Sequence, residues 1–284
     1  MNAYGRLMRL DKPTGTWLLF WPCVWGLVLG VHQLFSWEIA KDIGLFFLGA
    51  LIMRSAGCIV NDIWDRKLDA KVVRTKMRPI ASGEIKLWHA VFLLIILLGL
   101  ALVVWFQLHW LARTLAALSL ILVVAYPGMK RITWWPQAFL GITFNYGILM
   151  GAVQTAHVPP SIPTLIIYLG AMFWTIGYDT IYACQDIEDD RMVGVKSTAL
   201  KFATAPRRFV ALCFALAMLL WWMAAMEGAF AWPTYIGLLV VGAHFLWQLA
   251  EWNPKDNASS LRMFKANAIT GGLMAGVVVL SKFF

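Results

Sequence analysis

The sequence predicts an all-α integral membrane protein, a single bundle of nine transmembrane helices formed by one domain spanning residues 1–284. Three observations predict it. First, 61% of the 284 residues are hydrophobic and 14% are charged, against about 45–50% and about 25% in soluble domains. Second, nine apolar runs approach the ~20 residues that a helix needs to cross a bilayer. Third, Lys and Arg are gathered in alternate connections.

The runs lie at about 15–35, 43–60, 87–107, 110–127, 134–154, 162–183, 209–226, 229–249 and 266–284. Backbone polar groups in lipid must be bonded within the segment, so runs of this length read as helices. Pro22 and Gly26 in the first, Gly49 in the second, and Gly141, Gly147 and Gly151 in the fifth predict kinks and close packing rather than breaks. Pro159, Pro160 and Pro163 mark a short turn before the sixth run. The regions of the second and sixth runs echo each other faintly: each apolar span leads into an acidic and then a basic connection. The last three runs carry little motif.

Twenty Lys and Arg fall on one face of this arrangement and three on the other, and only Arg54 lies within a span. The positive-inside rule then places the N-terminus in the cytoplasm and the C-terminus outside. It also accounts for most of the formal net charge of +9, so the charge implies a bilayer rather than nucleic acid. The N-terminal stretch has the look of neither a secretory signal nor a transit peptide. The expected location is a bacterial cytoplasmic (inner) membrane, crossed many times. Cys23, Cys58, Cys184 and Cys213 sit in apolar runs without a CxxC pair or a His at ligand spacing, so neither a disulfide nor a zinc site is expected. The five histidines are scattered, which suits interfacial or packed positions.

Eight of the fifteen acidic residues occupy two segments at the ends of the second and sixth runs: Asn61-Asp62-Ile-Trp-Asp65-Arg-Lys-Leu-Asp69, and Tyr178-Asp179 through Gln185-Asp186-Ile-Glu188-Asp189-Asp190. Carboxylates at a membrane boundary need counter-charge. A helix turns about 100° per residue, which places Arg54, Asn61, Asp62, Asp65 and Asp69 on one face if the helix continues past the interface. The same geometry aligns Asp179, Asp186 and Asp190, with Glu188 opposite. Hard divalent ions such as Mg²⁺ take a few carboxylates together with substrate phosphate, so Asn61, Asp62, Asp65, Asp69, Asp186 and Asp190 are candidate metal ligands. Arg66, Arg74, Arg78, Lys130 and Arg131 fall on the same side, where they can neutralise diphosphate oxygens. A buried Arg54 needs a partner, either Asp62, Asp65 or a substrate carboxylate. The sixteen Trp read as interfacial belt and packing residues.

These stretches resemble the UbiA superfamily of intramembrane aromatic prenyltransferases, in its 4-hydroxybenzoate polyprenyltransferase branch. The resemblance rests on Arg9-Leu-Asp-Lys-Pro-Thr-Gly15, Arg54 through Asp69, Arg78-Pro-Ile-Ala-Ser-Gly83, Tyr126-Pro-Gly-Met-Lys-Arg131, and Tyr178 through Asp190 followed by Gly194-Val-Lys-Ser-Thr198. It implies a nine-helix bundle around a central cavity opening sideways to lipid and capped by cytoplasmic loops. It implies Mg²⁺ as cofactor, with polyprenyl diphosphate and 4-hydroxybenzoate as substrates in ubiquinone biosynthesis, and no obligate protein partner. Asn61, Asp65 and Asp69 match its first metal and diphosphate motif, and Asp186 and Asp190 its second. Asp62 and Asp179 match further motif positions, and Arg66, Lys130 and Arg131 its basic positions. Glu188 stands where the family commonly has Asp, and Asn145 where a small residue is expected.

The expected reaction breaks the allylic C–O bond of the diphosphate and alkylates the ring carbon ortho to the phenol hydroxyl. Asp65, Asp69, Asp179 and Asp186 are the candidate catalytic residues. Asp179 or Asp186 is placed to polarise the phenol, and released diphosphate is an equally good base. Arg54 is placed to orient a carboxylate. Within the family, homogentisate, naphthoate or haem is the alternative acceptor. An ion-coupled transporter is a more distant reading, because transporter sites sit near the bilayer midplane and these acids sit at one interface.

Overall fold

The computed structural model describes residues 2–70 and 75–283, without the side chains of Leu68, Asp186, Asp189 and Val193. Among the described residues there is no strand, and nine helices have seventeen or more residues. They are α1 (Thr14–Gly30), α2 (Trp37–Trp64), α3 (Leu87–Phe106), α4 (Trp110–Ile132), α5 (Pro136–Ala156), α6 (Ile162–Ala183), α7 (Pro206–Glu227), α8 (Trp232–Glu251) and α9 (Asn257–Leu280). Seven of these, all but α1 and α5, are long and apolar enough to cross a membrane. The 17-residue α1 is apolar but short, and α5 carries Gln137, Asn145 and Gln154 among its buried residues. These two helices pack against each other. Helices screened from lipid by their neighbours can be shorter or more polar than lipid-facing ones.

Several boundaries differ from the apolar runs, each for a local reason. The helix α2 starts at Trp37 because Ser36 accepts the Ile39 amide in its side-chain cap. In the same way Asp256 caps α9, starting it at Asn257, well before its apolar run. Pro136 and Pro206 open α5 and α7 at positions where a missing N–H costs nothing. The helix α4 does not stop at Tyr126 but runs through Pro127 to Ile132, so Lys130 and Arg131 lie in its last turn.

The inner helices α1, α5, α6 and α9 contact one another in a ring. Helices α2, α3 and α4 flank one side, and α7 and α8 the other. Glycines set the closest approach. Gly26 and Gly30 lie against the backbone of Ile148 and Ala152, and Gly147 and Gly151 against Cys23. A methyl group on Gly151 would stand 2.5 Å from the Cys23 carbonyl oxygen and 2.7 Å from the Leu27 amide. Facing small-xxx-small pairs of this kind let two backbones meet in lipid.

Aromatic residues fill the centre. Trp25, Trp174, Trp221 and Trp252 are fully buried, and each indole N–H has an acceptor, as a buried polar group requires. Trp25 donates to the Gly271 carbonyl at 3.0 Å, Trp221 to that of Ile167 at 3.2 Å, Trp252 to Ser260 Oγ at 3.0 Å and Trp174 to Asn267 Oδ1 at 2.7 Å. Asn145 is buried between α5 and α6, where its amide donates to the carbonyls of Gly141 and Ala171 and to Thr175 Oγ1. It ties two helices together rather than shaping an open cavity.

Hydrogen bonds stitch the helix ends into two opposite faces. On one, the N-terminal segment, the end of α2, the connection to α3 and the end of α4 meet through Arg9, Asp62, Arg78, Asp69, Asp65 and Arg131. On the other, Gln154 at the end of α5 donates to Asp42 and accepts the His109 amide, and the rings of His109 and His157 stack.

Candidate functional site

The first acidic segment ends α2. Its helix closes at Trp64, Asp65 is the cap, and a short helix follows over Arg66–Asp69. The bend is slight, because the Asp65 amide still reaches the Asn61 carbonyl at 2.9 Å and the Asp69 amide the Asp65 carbonyl at 2.8 Å. The one-face prediction therefore carries through the cap.

What occupies that face is a network of ion pairs. Asp62 is 1% exposed and accepts from Arg9 Nη2 through both carboxylate oxygens, at 2.7 and 2.9 Å. Arg78 Nη1 reaches Asp62 at 3.2 Å and Asp69 at 2.8 Å. Thr75 Oγ1 donates to the Asp69 carbonyl at 3.0 Å. Asp62, grouped by the sequence with the metal ligands, is thus held by two arginines. Arg9 adopts φ 58°, the left-handed region that a non-glycine residue enters only when its surroundings compensate. The bidentate pair with Asp62 is that compensation.

Asp65 is different. It is 27% exposed and has Arg131 at 3.7 Å. Burial lifts its carboxyl above the ordinary aspartate range. The like charge of Asp69 adds to this, while Lys130, Arg131 and Arg78 oppose it. Two carboxylates that repel one another, ringed by fixed cations, form a donor set that fits a hard divalent ion completed by waters and phosphate oxygens. Among the described residues no three His, Cys, Asp or Glu side chains converge into a metal cage. Asn61 is half-buried beside them.

Arg54 lies about two helical turns before Asn61 on α2. Its guanidinium packs under Gly15, where any Cβ would collide with it, and against the sulfur of Cys58. Of the partners the sequence offered, Asp62 is already held by Arg9 and Arg78. The buried Nε of Arg54 has no partner among the described residues. Arg54 lies in the electrostatic neighbourhood of Tyr126 on α4 and Tyr182 on α6. Tyr126 in turn neighbours Asp179 on α6. Side chains of α2, α4 and α6 therefore converge at one place. Arg66 turns away: it is exposed, and its guanidinium donates to the Ile63 carbonyl at 3.1 Å.

The second acidic segment is not one continuous helix. The helix α6 ends at Ala183, a 3-10 turn spans Cys184–Asp186, and a short helix covers Ile187–Val193. This tighter turn departs from the continuous α-helix on which the predicted Asp179–Asp186–Asp190 stripe rests. Asp179 stays on α6 near Tyr126, and the Asp190 carbonyl accepts the Val195 amide. The Asp186 side chain and all of Arg74 lie outside the described residues. The trailing Lys-Ser-Thr anchors this connection. Lys196 donates its amide to the Lys130 carbonyl at 2.8 Å, Ser197 caps Thr198–Lys201, and Thr198 bonds to Thr180 and Gln137. The end of α4 thus faces Asp65 with Arg131 and holds the second segment with its backbone.

Two residues of this site, Arg9 and Tyr126, were not singled out from sequence. Both lie in stretches already quoted, Arg9-Leu-Asp and Tyr126-Pro-Gly-Met-Lys-Arg131. Their roles depend on a positive φ and on α4 continuing past a proline.

The family model for the UbiA prenyltransferase family matches residues 19–269. The chain is 43% identical over 285 aligned positions to a protein of Drosophila melanogaster named 4-hydroxybenzoate polyprenyltransferase, mitochondrial, covering 98% of this chain and 71% of the relative. It is 44% identical to the protein of the same name in Bos taurus, covering 99% and 75%. A UbiA homologue of Archaeoglobus fulgidus, solved bound to GPP and Mg²⁺, superposes with a TM-score of 0.71 at 19% identity, covering 98% of this chain and 99% of that one.

Proposed function

The chain belongs to the UbiA prenyltransferase family, and from that premise we propose that it transfers a polyprenyl group from polyprenyl diphosphate to 4-hydroxybenzoate. The bond formed joins the allylic carbon to the ring carbon ortho to the hydroxyl, a step of ubiquinone biosynthesis. The observation that carries the reading is the set of paired carboxylates Asp65 and Asp69, lying against Arg78, Lys130 and Arg131 where three helices converge.

In this proposal Asn61, Asp65, Asp69, Asp186 and Asp190 would hold Mg²⁺, which when bound would supply positive charge to the departing diphosphate. Arg78, Lys130 and Arg131 add fixed positive charge at the same oxygens, and Asp62 keeps Arg9 and Arg78 in place. Arg66 joins them only by leaving the Ile63 carbonyl. Arg54, with an unpaired buried Nε, orients the benzoate carboxylate. Asp179, next to Tyr126, polarises the phenol as its ring attacks. The ring proton leaves to Asp179, Asp186 or diphosphate. The packed interior keeps water from an allylic cation.

The domain is a single unit over residues 1–284. In our reading all nine long helices cross the membrane, with the N-terminus and the acidic face cytoplasmic. The named relatives are mitochondrial, whereas the membrane we assign here is the bacterial cytoplasmic (inner) one. A direct test incubates membranes containing the protein with labelled polyprenyl diphosphate and an acceptor panel. Prenylated 4-hydroxybenzoate is the expected product. Label transferred only to homogentisate, a naphthoate or haem would overturn the acceptor.

A further inference from the structure

The connection after the second acidic segment builds a pocket that the transfer reaction does not use. It encloses about 340 Å³ and is lined by Trp134, Arg191, Gly194, Val195, Lys196 and Leu200. Its walls come from the α4–α5 turn and the α6–α7 connection, and two local features hold them together. Gly194 takes φ 76°, in the left-handed region that favours glycine, so the chain reverses and the Lys196 amide meets the Lys130 carbonyl at 2.8 Å. The Lys196 ammonium then donates to the Ile132 carbonyl at 3.2 Å and lies 5.9 Å from the Trp134 ring centre. Two cations line the space, and among the described residues its lining includes no acid.

The surroundings are apolar and exposed. Trp134 is 44% exposed, Ile132 68% and Met192 78%. Ile121, Val124 and Ile132 are all exposed, and at about 100° per residue they share one side of α4. A hydrocarbon chain laid along that side ends at the pocket. Tryptophan, Lys and Arg at the end of a membrane-spanning helix mark the depth of lipid headgroups, and basic pockets between helix ends suit anionic headgroups.

We propose that this pocket binds the phosphate of an anionic phospholipid, with Arg191 and Lys196 as its counter-ions, Trp134 at the glycerol level and the acyl chain along α4. The proposal requires a membrane protein but not the transferase reading, so lipid binding and prenyl transfer can fail separately.

The test titrates the full-length protein in neutral detergent with short-chain phosphatidylglycerol, phosphatidylcholine and inorganic phosphate, following thermal stability and lipid adducts by native mass spectrometry. Phosphatidylglycerol is expected to raise the melting temperature and to remain bound, while the other two do neither. The Arg191→Gln/Lys196→Gln double variant is expected to bind it about thirtyfold more weakly, from about a factor of five per basic residue. Leu200→Trp, which fills the pocket and leaves both charges, is expected to lose the adduct if the double variant is too unstable to assay. Lys255→Gln/Arg262→Gln, in the turn before α9 and in the N-terminal part of α9, is expected to bind as wild type. Undiminished binding by the double variant or by Leu200→Trp would overturn the proposal. So would an equal loss in Lys255→Gln/Arg262→Gln, or an equal shift with inorganic phosphate, which would mean an ion site and not a lipid site.

Discussion

Arg9 and Asp62 show what single side chains contribute. Asp62 is almost wholly enclosed, and a buried carboxylate without its cation is strongly unfavourable. Breaking such a pair from one side costs about 3–5 kcal/mol. Arg9→Ala leaves Asp62 with Arg78 alone, so the expected cost is at the lower end of that range, about 3 kcal/mol, read as a lowered unfolding midpoint in detergent. Arg9→Ala/Asp62→Ala should recover part of the loss, because no orphaned charge remains. Burial also pushes the Cys184 thiol up to about 12. It stays protonated and enclosed at neutral pH, so maleimide should label it only after unfolding. The acidic residues were legible because carboxylates at a membrane boundary need a purpose. Arg9 was not, since a single basic residue in a short N-terminal segment looks like a topology determinant until its backbone turns left-handed. Spacing leaves the partner of Arg54 open among Asp62, Asp65 and a substrate carboxylate, because it cannot show that two other arginines reach Asp62 from outside the helix.

At the scale of elements, the central joint is α1 against α5. Gly26, Gly30, Gly147 and Gly151 let the two backbones touch, so Gly151→Leu has to push them apart. Overpacking costs about 1–3 kcal/mol where a core can yield. Here the obstacle is backbone, so the expected loss is at the upper end or beyond, read as a fall in folded, monodisperse protein. The loop anchor is milder. Thr198→Val removes a hydroxyl shared with Thr180, an expected cost of about 1 kcal/mol, with looser closure behind the second acidic segment and lower turnover. Runs of apolar residues located all nine long helices. They did not locate the ends, because caps at Ser36 and Asp256 are polar and α4 tolerates Pro127 in its interior. The 3-10 turn at Cys184–Asp186 leaves no mark in periodicity, so the sequence reads as a continuous helix from Asp179 to Asp190.

For the whole molecule, the charge pattern predicts an orientation that can be read from outside the site. Reporter fusions after Phe35, Gln107, Val158, Gly228 and Phe283 should report one side of the membrane, and fusions after Lys76, Thr133, Lys201 and Lys255 the other. A reporter that breaks this alternation would remove a span from the count. The account stands on Asp65 and Asp69 holding a divalent ion against a lipid diphosphate. The most direct measurement is binding of an unreactive polyprenyl diphosphate analogue to purified wild type and to Asp65→Ala/Asp69→Ala, each with Mg²⁺ and with EDTA. Wild type should bind tightly only with Mg²⁺, and the folded double variant should lose about a hundredfold and with it the response to metal. A folded double variant that binds the analogue as tightly as wild type, still dependent on Mg²⁺, would contradict the account.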